Sequence, residues 1–302
     1  MAKPQPAFQV DRAMSKRRAK KLQSYLTKQV WDPSTRRAWP DFICGSKLDC
    51  KASAVNCGAS FHEAQGHAVG DCYELQTVGD VPFRVLVVPM EAGGGERYFS
   101  VEGRTDRVRR SGRLPWKAGK TGGEFRNAHM KGVTLSLRLA LGLPYNDRHG
   151  QPLIDHQTER VTFTDGTDAH LFDCFAMTNL LLCSAVLKEG SQKSLATPVM
   201  RKNCAEHLVE TIGILKPTLV ISQGSGLVKT LRGSFGVTHP MGTDLGTNLA
   251  RCDLDGNQFI WAALRHPTRN WSTINQPYFR ETVVPTIQQA RKRALTLAQR
   301  TV

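Results

Sequence analysis

The stretch "DCFAMTNLLLCSAVLKEG", residues 173–190, says most about the fold, because a polar pair interrupts its apolar run. Thr178 and Asn179 follow a short apolar segment, and Cys183 comes shortly after them. Burying an amide that has no hydrogen-bond partner costs about 1–3 kcal/mol. We therefore expect Asn179 either to satisfy its neighbours or to contact a ligand, at the end of a buried strand over about 171–177.

Other apolar segments alternate with helical patterns along the chain. Strands are predicted in "FRVLVVP", "PTLVISQG" and "QFIWAALR", and helices in "HMKGVTLSLRLALG", "RKNCAEHLVETIGIL" and "ETVVPTIQQARKRALTLAQR". This alternation predicts an α/β fold, with three layers (α/β/α) and a mainly parallel, four-stranded central sheet. Residues 1–75 are assigned to a basic N-terminal arm and cysteine-rich segment, and residues 76–302 to the α/β domain, within one compact unit.

Three further segments have their own predictions. Residues 44–72 have little periodicity and are expected to be a loop, and residues 100–128 form an irregular, basic, glycine-rich insertion. The N-terminal "SKRRAKKLQSYLTKQVW" is expected to be a helix. That helix either packs on the domain or contacts DNA.

Composition and charge point to the partner. The chain has 302 residues and a net charge of +15, which favours a polyanion, DNA first. It has no segment that could span a bilayer and no secretory signal, so we expect a cytoplasmic protein with no membrane partner. In a reducing compartment its eight cysteines favour a metal or cluster over disulfides. We expect a monomer.

Polar residues follow all of the predicted strands. In an open parallel sheet, ligands bind beyond the carboxyl ends of the strands. The residues expected there are Met90, Glu91, Gly93, Asn179, Gly224, Ser225 and His266. An amide, an imidazole, a carboxylate and two glycine turns together predict a polar pocket near a phosphate site.

Three quoted motifs, taken in order, carry a family resemblance. "MTNLLLC", "NCAEHLVETIGILKPTLVISQG" and "WAALRHPTRNW" resemble signatures of the uracil-DNA glycosylase superfamily, nearest to its iron–sulfur bacterial and archaeal branch. The resemblance covers about residues 80–290. It implies an enzyme that flips a base out of DNA and hydrolyses its N-glycosidic bond, leaving an abasic site.

The resemblance also implies roles for individual residues. Asn179 would read the edge of the extruded base, and His266 would stabilise the charge that develops on it. Gly224 and Ser225 would lie against a phosphate. Phe125, in "GEFRNAHMKG", matches the aromatic residue that stacks on the base, although a phenylalanine before a helix often packs in the core.

The first signature of the family departs from the pattern. Here the run is "VVPMEAGGG", so that Met90 falls where the family has an acid, and Gly93 follows in the substrate-binding turn. Either the turn shifts so that Glu91 activates water, or water activation is lost. The changed turn favours a modified pyrimidine, such as a hydroxymethylcytosine derivative, over plain uracil. Such a substrate would suit defence against bacteriophage as well as base-excision repair.

The resemblance implies a structural 4Fe-4S cluster. Cys183 and Cys204 match two of its ligands, and Cys57 and Cys72 are assigned as the other two. Cys44 and Cys50 are the competing pair of ligands. The alternative metal is zinc, bound by Cys44, Cys50, Cys57 and Cys72. The remaining interpretation is that Cys183 and Cys204 are simply buried apolar residues.

Two other functions compete with a glycosylase. A binding protein of the same fold would flip or sense a base without cutting it, because the usual acid is missing. A nucleotide-processing enzyme is disfavoured, since free nucleotides do not need so basic a surface.

Overall fold

A computed structural model describes residues 8–34, 41–63, 66–90, 100–117, 123–146, 159–187, 195–242 and 246–300. Glu91 and Gly93 lie outside the described residues. Eight α-helices are described: α1 (Arg12–Gln29), α2 (Lys47–Asn56), α3 (Val101–Arg113), α4 (Ala128–Leu141), α5 (Pro198–Leu215), α6 (Ser225–Ser234), α7 (Pro267–Asn270) and α8 (Val284–Gln299). A 3-10 turn covers Leu171–Asp173, and a π-helical turn, Phe279–Val283, precedes α8.

Sixteen strands are described, many of them short. They are β1 (Phe8–Val10), β2 (Trp31–Asp32), β3 (Asp41–Phe42), β4 (Ala59–Glu63), β5 (Ala68–Val69), β6 (Leu75–Thr77), β7 (Pro82–Phe83), β8 (Val85–Pro89), β9 (Arg160–Thr162), β10 (Asp168–His170), β11 (Ala176–Met177), β12 (Cys183–Leu187), β13 (Leu219–Gln223), β14 (Val237–His239), β15 (Leu249–Leu254) and β16 (Asn257–Leu264).

The α/β class is confirmed, but the main sheet is larger and more mixed than predicted. It has seven strands in the order β14-β15-β16-β13-β8-β11-β5. The neighbours β16, β13, β8 and β11 run parallel, whereas β14, β15 and β5 add antiparallel pairs at the edges. The edge strands were missed because they are short or lack a continuous apolar run.

The central strands are buried on both faces. Val85 and Val87 of β8 belong to one hydrophobic cluster, and Leu86 and Val88 belong to a second. Since side chains alternate across a strand, these clusters lie on opposite faces of the sheet. The first cluster contains residues of α4 and α8, and the second contains residues of α1, α5 and α6. Below, these are the α4 face and the α5 face.

The helices begin and end where their capping residues predict. The Asn127 side chain accepts a hydrogen bond from the Met130 N–H at the start of α4, and Gly142 ends this helix in the left-handed conformation at φ 75°. Thr197 caps α5 in the same way, ahead of Pro198. The predicted apolar face of α5 is confirmed, because Cys204, Leu208, Ile212 and Leu215 are all buried.

The N-terminal segment is part of the same fold. Leu22 and Leu26 bury one face of α1 in the cluster on the α5 face, while Lys16, Arg17 and Lys20 are exposed. β5 joins the main sheet beside β11.

Two segments are more ordered than predicted. Residues 44–72 hold α2, β4 and β5 in place of a loop, and residues 101–113 form α3 in place of an irregular insertion. These segments are rich in small residues and glycine, so their sequence shows little of the apolar periodicity by which helices and strands are predicted. The helix α3 is stabilised by burial of Val101, Thr105 and Val108 on one side.

Candidate functional site

Three parallel strands end level with one another. Gln223, the last residue of β13, pairs with Pro89 of β8 on one side and Leu264 of β16 on the other. After β11 the chain continues along β8, since the Leu180 N–H donates to the Pro89 carbonyl over 2.9 Å. Asn179 therefore stands level with Pro89 and Gln223. The sequence prediction that these strand ends share one edge is consistent with this register.

Asn179 is directed to the α4 face. Ala68 and Met177 pair across β5 and β11, and both belong to the cluster on that face. Gly66 precedes Ala68 by two residues, so a Cβ there would point the same way. Such a Cβ would meet the side-chain amide of Asn179 at 2.5 Å. Glycine at 66 thus leaves room for this amide.

The amide of Asn179 is buried and unpaired. The residue is 2% exposed, and neither Oδ1 nor Nδ2 has a hydrogen-bond partner among the described residues. An unpaired buried amide costs about 1–3 kcal/mol, so its presence is typical of a binding site. Of the two roles that the sequence allows for Asn179, satisfying neighbours or meeting a ligand, the geometry favours the second.

His266 follows β16 at the same edge. Its Nδ1 accepts a hydrogen bond from the Thr268 N–H over 3.3 Å, which leaves the ring proton on Nε2. Burial lowers the pKa of His266 below its ordinary value of 6.5, so the ring is neutral at neutral pH. Nε2–H is therefore available as a neutral hydrogen-bond donor.

The loop that carries His266 is fixed from several sides. A Cβ on Gly132 of α4 would meet the Pro267 ring at 2.4 Å, so glycine lets the loop lie against the helix. The buried Trp271 donates its indole N–H to the Arg265 carbonyl over 2.7 Å. These contacts fix the start of α7 and hence the position of His266.

A second histidine, which the sequence reasoning missed, stacks on His266. His129 lies in the first turn of α4, and the two ring centroids are 5.6 Å apart with planes 19° from parallel. Burial, with the charges of His266 and Arg104, lowers the pKa of His129 to about 3. His129 Nδ1 is buried and has no hydrogen-bond partner in the part of the chain that the structure describes. The segment "FRNAHM" indicates a helix start, but nothing in it indicates a functional role for His129.

Gln223 stands at the same edge, where the sequence places it without giving it a role. It is fully buried, its Nε2 donates to Ser136 Oγ on α4 over 3.1 Å, and its Oε1 has no partner within the described residues. The motif "QGSG" by itself indicates only a generic strand–helix turn.

The predicted phosphate position has an open helix start. Gly224 precedes α6 at φ 150°, and no side chain caps the first turn, which Ser225 begins at the surface. Arg201 of α5 approaches it, because a Cβ on Gly226 would stand 3.9 Å from Arg201 Nη1. Free N–H groups beside a guanidinium can bind an anion.

The aromatic candidate, Phe125, is on the surface. It is 48% exposed, and Lys131 Nζ lies 5.5 Å from its ring centroid. The next residue, Arg126, is buried and forms a bidentate ion pair with Glu159, which holds this segment beside α4. Phe125 is therefore not a core residue. Met90, predicted to bind substrate, packs against the hydrophobic cluster on the α5 face, and its methyl group lies close to Gly226.

The structure corrects the cysteine assignment. Cys57 is exposed at the end of α2, and Cys72 is hydrogen-bonded to Cys174 and to Arg12 Nη1, the latter over 2.7 Å. Cys72 belongs to the cluster on the α4 face, whereas Cys183 and Cys204 belong to the cluster on the α5 face. Nearness to the first predicted strand along the chain favoured Cys57 and Cys72, but it does not bring them to one face of the sheet.

The competing pair, Cys44 and Cys50, is the one that reaches them. The Cys183 thiol is hydrogen-bonded to both Cys50 and Cys204, which raises the pKa of Cys183, lowers that of Cys204 and lowers that of Cys50 to about 7. Cys44 lies near Cys50 and Cys204. All four are buried on the α5 face. We call them the cysteine cluster.

Single-ion sites are absent from the described residues. No three His, Cys, Asp or Glu side chains there are arranged to hold one metal ion. The cysteine cluster has the donor set of an iron–sulfur cluster, four thiols from separate elements.

Comparison with known proteins adds no assignment. Neither a scan against models of protein families nor a search of curated proteins found a match for this chain. None of the described helices is both long enough and apolar enough to cross a membrane.

Proposed function

We propose that this chain is a DNA glycosylase of the uracil-DNA glycosylase superfamily, which flips a pyrimidine and hydrolyses its N-glycosidic bond. The observation that carries the proposal is the buried amide of Asn179, which has no partner among the described residues and stands at the same sheet edge as His266. Three strand spacings, about 14 Å, separate the backbones of β11 and β16. This span suits one pyrimidine ring held between two side chains.

Asn179 would read the base. Its amide offers one donor and one acceptor side by side, and both are unpaired within the described residues. The Watson–Crick edge of a pyrimidine presents a donor next to an acceptor, so a base that enters the site pairs both amide atoms. Binding then removes the cost of the unpaired amide and helps to offset the cost of unstacking the base.

His266 would act on the leaving group. As the glycosidic bond breaks, electrons move to the base and negative charge collects on its carbonyl oxygen. A neutral imidazole with its proton on Nε2 stabilises that oxygen by a hydrogen bond without carrying a charge of its own. Glu91, which lies outside the described residues, remains the predicted group that orients the attacking water.

DNA would be held outside the pocket. The open start of α6, Gly224 and Ser225, with Arg201 beside it, suits a backbone phosphate. The net charge of +15 supplies attraction that weakens with salt. Phe125, exposed beside α4, is available to stack on a base.

The cysteine cluster would hold a 4Fe-4S cluster with a structural role. Four cysteine ligands leave no open coordination position for substrate. Cys44 and Cys50 come from the N-terminal segment, and Cys183 and Cys204 from β12 and α5, so the cluster would join these parts.

The cluster assignment has a direct test. Protein purified without oxygen should be brown, absorb at about 400 nm and contain iron and sulfide. Cys50→Ser should lose iron, whereas Cys57→Ser, the matched control at the C-terminal end of the same helix, should keep it. Iron retained in Cys50→Ser and lost in Cys57→Ser would contradict the assignment.

Abasic-site formation tests the enzyme itself. Duplexes carrying uracil, 5-hydroxymethylcytosine or its glucosylated form are incubated with protein and then cleaved with alkali. Asn179→Ala and His266→Ala should each lower turnover by about 100-fold or more while salt-dependent DNA binding persists. His239→Ala, an exposed histidine on β14, is the control and should keep full activity.

A base-sensing protein is the alternative, since Met90 stands where relatives carry an acid. It would bind damaged or modified duplexes through Asn179 but cut none of them. No abasic sites in any duplex, with tight binding that Asn179→Ala abolishes, would establish the sensor and exclude the enzyme.

A further inference from the structure

A second buried amide stands at the same sheet edge, and one of its two polar atoms is already hydrogen-bonded. Gln223 Nε2 donates to Ser136 Oγ, so this nitrogen is engaged with α4. Its Oε1 is buried and unpaired among the residues that the structure covers. In this orientation the oxygen is the amide atom left to a ligand. Gln223 therefore presents a hydrogen-bond acceptor to a ligand.

Asn179 differs in this respect. Both of its amide atoms are unpaired within the described chain, so the amide can turn to match either order of donor and acceptor on a base. In Gln223 one amide atom is already bonded to Ser136, so a ligand meets only the other atom, Oε1.

The two amides belong to one site. Gln223 follows Leu219 and Ile221 in the alternation of β13, and both of those residues lie in the cluster on the α4 face, the face to which Asn179 is directed. Pro89 separates them in the register, and its side chain has no polar atom. Two strand spacings, about 10 Å, lie between the two backbones. A base read by Asn179 can thus present a further group to Gln223.

Resting on the glycosylase assignment, we propose that Gln223 determines specificity: it selects a base with a hydrogen-bond donor, an exocyclic amine or a hydroxyalkyl group, beyond the atoms that Asn179 reads. Uracil pairs its N3–H and one carbonyl with Asn179 and has no donor left. Its binding leaves Gln223 Oε1 buried and unpaired. The expected discrimination against uracil is about 10- to 100-fold.

Four bases separate the two possible donors. Duplexes identical except for uracil, cytosine, 5-hydroxymethyluracil or 5-hydroxymethylcytosine vary the amine and the hydroxyl independently. Excision is measured on these duplexes, and binding on 2′-fluoro versions that resist cleavage. The wild-type chain should prefer at least one donor-bearing base over uracil by about 10-fold or more in binding. The cytosine and 5-hydroxymethyluracil arms identify which donor it is.

Two variants assign the preference to Gln223. Gln223→Leu should abolish it, with binding to uracil unchanged or tighter, because no acceptor is left unpaired. Gln223→Glu keeps an acceptor and should retain the preference. Ser136→Ala frees the amide to rotate and should reduce the preference several-fold. Thermal unfolding of each variant confirms that it is folded.

Several outcomes would overturn the inference. They are a wild-type chain that binds all four bases equally, a preference that Gln223→Leu preserves, and a folded Gln223→Leu protein that loses all four equally. Failure of the glycosylase proposal looks different. A chain that cuts no duplex but shows a donor preference dependent on Gln223 keeps this inference and loses the enzyme.

Discussion

Two groups of buried polar side chains among the described residues differ in whether they contain their own counter-groups. The first, which we call the arginine cluster, contains Arg126, Arg138, Glu159 and His170. The second, the edge amides, contains Asn179 and Gln223. Both groups are almost completely removed from solvent.

The arginine cluster pairs its charges internally. Arg126 donates Nη1 and Nη2 to the two oxygens of Glu159 over 2.9 and 3.1 Å, and also to the Leu114 carbonyl. Arg138 and His170 approach the same carboxylate at 3.6 and 3.3 Å. This ion-pair network fixes the segment before α4.

The edge amides leave three atoms without partners in the described chain. Burial of a polar group therefore does not by itself indicate a binding site in this protein. What separates the two groups is the counter-group: the guanidinium groups share the Glu159 carboxylate, whereas the Asn179 amide has no partner of either kind within the described chain. A paired network stabilises the fold, and an unpartnered amide is typical of a binding site.

The largest expected effect lies in the arginine cluster. Glu159→Gln leaves two buried guanidinium groups without a counter-charge, so we expect a loss of about 3–5 kcal/mol in the free energy of unfolding. Urea denaturation measures it. The control is Asp168→Asn, which breaks the exposed Arg160–Asp168 pair and should cost about 1 kcal/mol or less. Equal losses in both variants would show that the buried ion pairs of the arginine cluster stabilise the fold no more than an exposed ion pair does.

The same carboxylate predicts a pH dependence. Burial raises the pKa of Glu159, but hydrogen bonds from His170 and Arg126 and the nearby guanidinium charges lower it from 4.5 to about 2. The ionised carboxylate contributes about 3 kcal/mol to the free energy of unfolding at a pH above its pKa in the unfolded chain. This contribution is lost as the pH falls through its pKa in the folded protein, about 2. As the pH is lowered from about 4.5 to about 2, the urea midpoint of the wild-type chain should decrease more than the urea midpoint of Glu159→Gln. Parallel curves would refute this.

A smaller effect is expected beside the edge amides. In Gly66→Ala the new methyl group meets the Asn179 amide at 2.5 Å, so the amide must move. We expect a loss of about 1–3 kcal/mol in stability and a fall in DNA glycosylase activity. Gly213→Ala, in an exposed and open position of α5, is the matched control and should be neutral or stabilising. Activity unchanged in Gly66→Ala would argue against the placement of Asn179.

The smallest effect has the opposite sign. Asn179→Leu replaces an unpaired amide by an apolar group of similar size, so the free energy of unfolding should rise by about 1 kcal/mol while activity is lost. Denaturation and excision are measured on the same preparation. A clear loss of stability would mean that the Asn179 amide is already paired in the folded protein, and the contrast with Glu159 would disappear.

Much of the fold was predictable from local patterns. The helices α4, α5 and α8 have apolar periodicity and recognisable ends, and the strands β8, β13 and β16 are continuous apolar runs. The short strands β5 and β11 were harder, because two residues carry no periodicity. Their pairing depends on the neighbouring strands, which local sequence does not specify.

The sequence by itself determined the strand ends and the residue types placed there, Asn179 and His266 above all, because these follow directly from where each apolar run stops. Tertiary structure decided which cysteines meet and which polar atoms stay unpaired. Cys50 reaches Cys183, and Gln223 keeps a free oxygen, only because distant segments fold against one another. Hydrogen-bond completion is a property of the assembled core, so local patterns could not reveal it.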